Sequence, residues 1–116
     1  MNYMPAVESM NRVGAGRLDE KRTAILFDKI KSAGSVQYSF LFMVFDNETQ
    51  EPVFCVSSEV NAMQASFGGG THFLGVFDGA GHANHGSSDD WGDPRKFFQE
   101  ALRLASEKFS VPQKGR

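Results

Sequence analysis

The chain has 116 residues, 12 of them basic and 14 acidic for a formal net charge of -2, and contains a single cysteine. A chain of this length supports one domain that hides about 65% of its unfolded surface and folds without disulfides or a structural metal. So weak a charge provides no field to gather phosphates or anionic lipids, and no segment approaches the ~20 apolar residues of a membrane span, so nucleic acid and membrane are excluded as partners.

Residues 1–16 carry Pro5, Gly14 and Gly16 without an apolar period and read as a flexible N-terminal arm with no export leader. From Arg17 to Ala33, Leu18, Leu26, Ile30 and Ala33 fall along one helical face with Phe27 beside them. Asp19 and Glu20 suit a first turn, and Lys29, Lys31 and Gly34 a last one, so a helix is predicted here. Arg12, Arg17, Lys21 and Arg22 then form a solvated face, interrupted by acids and lacking the aromatic ladder of a nucleic-acid surface.

"VQYSFLFMVFD", Val36 to Asp46, is rich in aromatic and β-branched residues and predicts a strand. The polar turn "NETQE" leads into a second strand, Pro52 to Val60, paired with the first as an antiparallel hairpin. Met63 to Phe67 reads as a short strand or a helical turn, and His72 to Asp78 as another strand, with Gly75 marking a bulge or a close backbone approach. Asp93 and Pro94 form a helix-start pair, cap and first residue. Phe97, Phe98, Ala101, Leu102, Leu104, Ala105 and Phe109 supply the apolar rows behind it. Residues 17–111 therefore form a single α+β domain, followed by a tail at 112–116. Its expected architecture is two-layered, an antiparallel three- or four-stranded meander flanked by an N-terminal and a C-terminal helix.

In the first predicted strand, Leu41, Met43 and Phe45 point away from Tyr38, Phe40, Phe42 and Val44, so the later half is apolar on both faces. Two helices on one side would leave Leu41, Met43 and Phe45 in water, and homodimerisation through them is the simplest remedy; helices on opposite faces would instead bury everything in a monomer.

"FDGAGHANHGSSDDWGDP", Phe77 to Pro94, concentrates the polar chemistry. His82 and His85 stand H-x-x-H beside Asp78, Asp89 and Asp90, residue types that ligate divalent ions. The spacing matches neither H-E-x-x-H nor a calcium loop, and the glycines do not fix ligand geometry, so a connector whose end caps the last helix is expected, without metal or cofactor. Trp91 reads either as an apolar plug or as the wall of a ligand cleft with those five residues. Cys55 lies in mid-strand, where cysteine is a small apolar residue rather than a nucleophile paired with His72 or His82. Its isolation fits a reducing, cytoplasmic setting. "FGGGTHF" and "GAGHANHG" lack the endings of phosphate-binding loops, and no serine stands in G-x-S-x-G. The chain thus reads as a homodimeric, non-catalytic module binding a small molecule or another protein. The alternative is a small metal-dependent hydrolase-like enzyme using His82, His85 and the neighbouring aspartates.

Overall fold

In the computed structural model, which describes residues 4–111, the chain runs β1 (Val7–Arg17), β2 (Arg22–Ser32), β3 (Tyr38–Asp46), β4 (Pro52–Val60), α1 (Gln64–Phe67), β5 (His72–Phe77), β6 (His82–Ser88), a 3-10 turn (Asp89–Gly92) and α2 (Pro94–Lys108). Each strand pairs antiparallel with the next, giving one six-stranded sheet in the order β1-β2-β3-β4-β5-β6. No helix among the described residues is long and apolar enough to cross a membrane.

The predicted hairpin appears as β3 and β4, and the strand near His72 as β5. The expected N-terminal helix does not exist, and the sheet has six strands rather than three or four. Residues 17–33 instead hold the end of β1, a tight turn and β2. Ile25 and Phe27 pack on one sheet face while Ala24 and Leu26 pack on the other. A strand covered on both sides reads as an unbroken apolar run, which imitates a helical stripe wherever residues also recur at three or four. Asp19, read as a helix-start acid, closes the turn: it accepts the Lys21 amide at 2.8 Å and pairs with Arg22 at 2.7 Å. The segment read as an arm supplies β1 from Val7 onward, while residues 1–3 and the 112–116 tail lie outside the described residues.

The helix side of the sheet is built from Phe42, Val44, Phe54, Val56 and Leu74 against Phe97, Ala101 and Ala105 of α2. Three aromatic pairs fix the seating, Phe40 on Phe97 at 5.6 Å and Phe42 on Phe98 and Phe54 on Phe109 at 5.8 Å each. The other face carries a second cluster of Phe27, Leu41, Met43, Cys55 and Phe77, against which Met4, Val7, Met10, Ile25 and Phe45 pack. Leu41 is 0% and Met43 7% exposed within one chain, and Phe45 is half-buried. Irregular register between β1 and β2 at three places explains this enclosure: bulges bend a strand and sharpen its twist, bringing Met4, Val7 and Met10 against a face that no helix covers.

The start of α2 follows the sequence. Asp93 accepts the Lys96 amide at 3.0 Å, and Pro94 stands in the first turn, where its missing N–H costs nothing. Asp93→Ala should lower unfolding free energy by about 1 kcal/mol, measured by denaturant titration, because the helix loses a cap and a favourable charge at its dipole.

Candidate functional site

The Phe77–Pro94 stretch is not one loop. It contains β6, an edge strand whose side chains alternate between faces. Phe77 pairs with His82, and the two rings stack at 4.1 Å, nearly parallel, on the helix-free face. Ala83 pairs with Val76 of the helix-side cluster, so His85, two residues on, shares that face with α2. The two side chains therefore start on opposite faces, and the two residues, with Asp78, border one open cavity of about 450 Å³ at the sheet edge. Each aspartate also has a local partner. Asp78 accepts the Ala80 and Gly81 amides at 3.0 Å, which hold its carboxyl below the ordinary value. Asp89 accepts the Thr71 amide at 2.9 Å, and Asp90 reaches Lys96 at 3.3 Å. No three ligating side chains converge among the described residues. Trp91 lies half-buried against the helix-side core, and its carbonyl accepts the Ser58 hydroxyl.

Cys55 is fully buried, and burial pushes its thiol well above the ordinary value, the opposite of an activated nucleophile. Beside it, Ser57 is 0% exposed and its hydroxyl finds no partner among the described residues. Gly75 explains the close packing there. A Cβ at that position would lie 2.6 Å from Ser57 Oγ and 2.8 Å from His82 Nε2, so glycine is what allows His82 to lie flat over the sheet.

A polar relay that the sequence does not announce lies at the end of the sheet. Tyr38 pairs with Glu59 and Phe40 with Ser58, leaving Ser39 as the extra residue of a bulge. Out of alternation, Ser39 reaches across β4, and its Oγ stands 3.0 Å from His72 Nε2 on β5. The other ring nitrogen, Nδ1, lies 2.9 Å from the Thr71 hydroxyl. Gly92 makes room for the ring, since a Cβ there would sit 2.7 Å from it. Partial burial lowers the pKa of His72 from its ordinary 6.5, opposed by the charge of Asp89. Ser39 also lines a cavity of about 520 Å³ with Lys31, Ser32, Gln37 and Tyr38. The buried Ser32 hydroxyl there has no partner among the described residues.

A third feature is apolar. Between β1, β2 and α2 runs a groove of about 340 Å³, floored by Ala24, Leu26 and Phe42 and walled by Phe98 and Leu102. Gly14 and Gly16 pair with Leu26 and Ala24 and contribute no side chains over them.

The shifted pKa of His72 makes stability depend on pH. The unfolded chain takes up the proton near 6.5 and the folded one only at lower pH, so the contribution of neutral His72 is complete above 6.5 and is lost as pH falls through the folded value. Wild type should therefore lose stability relative to His72→Gln as pH drops below 6.5, measured by denaturant titration across that range. A difference between the two proteins that stayed constant would refute the assignment.

Comparison with known proteins returned no similar family model, no similar curated protein and no similar solved structure.

Proposed function

We propose that the protein is a homodimeric binding module of the cytoplasm whose two copies join along β1 and over the groove beside it. Gly14 and Gly16 carry this reading. Neither has a positive φ, and a Cβ on either would meet nothing within 4 Å among the described residues, so their packing within one chain does not call for glycine there. Strand interiors disfavour glycine by roughly 0.5–1 kcal/mol relative to alanine, so two glycines over an apolar floor mark room kept for another molecule.

A second copy fits that room. β1 is an 11-residue edge strand whose outer hydrogen-bonding side has no strand partner among the described residues, a ready template for strand addition. Its exposed charges are spread along it, Glu8 near one end, Arg12 at the centre and Arg17 at the other end. Antiparallel copies bring Glu8 of each chain toward Arg17 of the other, with only Arg12 meeting its own copy at the centre, whereas parallel copies would stack every like charge. Val13, the extra residue of a β1 bulge, is 54% exposed at the rim, beside Phe98 at 38%, so each chain offers both an apolar knob and a groove. A two-fold contact needs this self-complementarity.

Light scattering should find a dimer mass at micromolar concentration. Gly14→Val with Gly16→Val should keep or raise the melting temperature, because β-branched residues suit a strand, yet shift the protein to monomer by filling the groove. A wild-type monomer, or a double variant that still dimerises, would overturn the proposal.

A further inference from the structure

We propose that Ser39 and His72 form a nucleophile and base pair that cleaves small esters of polar acyl groups in the cavity at the end of the sheet, an activity beyond the assembly described above. Bulges beside active sites re-aim a side chain, and the one at Ser39 takes a hydroxyl that regular pairing would direct elsewhere and sets it 3.0 Å from an imidazole nitrogen. That separation is the reach a general base requires. The second ring nitrogen is held by the Thr71 hydroxyl at 2.9 Å, and the Thr71 amide in turn donates to Asp89. The ring thus has nucleophile, base and orienting group in sequence, with threonine in the place an acid often takes. Thr71 and Asp89 are positioning residues, and the Asp89 charge favours the imidazolium that forms in the reaction. The cavity supplies the other half of the argument. It is lined by Lys31, Gln37 and Tyr38 beside Ser39, polar side chains suited to a small ester brought up to the Ser39 hydroxyl.

With its proton on Nδ1, donated to Thr71 Oγ1, His72 accepts the Ser39 hydroxyl proton at Nε2 as Ser39 Oγ bonds to the ester carbonyl carbon. The carbonyl electron pair moves onto oxygen, and Lys31 and Gln37, both lining the cavity, are the residues that carry side-chain N–H donors for it. Collapse of this intermediate breaks the bond to the alcohol oxygen, which leaves with the proton from His72. Water then adds to the acyl-serine carbonyl, giving a proton to His72. Release of the carboxylic acid returns that proton to Ser39 Oγ.

The test is labelling of the whole protein with an alkyl phosphonofluoridate, together with hydrolysis of p-nitrophenyl acetate. Peptide mass spectrometry should find the phosphonyl group on Ser39 alone, and Ser39→Ala should abolish both label and turnover. His72→Gln should slow labelling by at least about 100-fold while circular dichroism shows the fold retained. Should that variant fail to fold, the wild-type labelling rate against pH serves instead. It should rise with deprotonation of His72 as followed by NMR. No label on Ser39, a label on another serine, a His72→Gln rate equal to wild type, or a rate that ignores His72 ionisation would each overturn the proposal.

Discussion

The burial of β3 and β4 on both faces is the constraint from which the remaining structure follows. Phe42, Val44, Phe54 and Val56 point to one side and Leu41, Met43 and Cys55 to the other, and Leu41, Phe42, Val44, Val56 and Cys55 have no exposed surface. Each large apolar side chain so enclosed is worth about 1.5–3 kcal/mol, so neither face can be surrendered to water. One amphipathic helix covers one side only. The opposite side must be closed by the sheet itself, and the irregular pairing of β1 with β2, with Lys29 held at φ 49 within it, provides the bending that a regular ladder resists.

This two-sided burial also explains what the sequence could reveal. The β3–β4 hairpin was legible because its aromatic and β-branched residues leave no polar stripe for a helix, and α2 because Asp93, Pro94 and the apolar rows agree with one another. β2 imitates a helix because Leu26 and Ile30 happen to satisfy a helical interval while Ala24 to Phe27 run through both cores. β1 and β6 gave almost no signal. Both are edge strands, mostly exposed, and their bulges and glycines break the alternation by which a half-buried strand is known.

The Phe77–Pro94 stretch drew notice through its residue types, and the structure separates them by parity: an odd interval on a strand sends His82 and His85 to opposite faces. Its aspartates are engaged with Ala80, Gly81, Thr71 and Lys96. The Ser39–His72 pair had no sequence signature, since 33 residues and an intervening strand separate the two and the contact depends on one bulge. Only a register can disclose it.

A sheet occupied on both faces has few residues left over for chemistry, because most of the large side chains of β3 and β4 belong to one core or the other. Residues outside the alternation escape that commitment. Ser39 is the extra residue between Tyr38 and Phe40, and Val13 the extra residue between Arg12 and Gly14. The first lines the polar cavity, together with Gly34, Ser35 and Gln37 of the β2–β3 connection, and the second the apolar groove, so a register shift contributes to each candidate surface. In a fold whose connections are short turns, bulges thus do the work that long loops do elsewhere: they release single side chains from the core while the flanking pairs keep those side chains fixed in place.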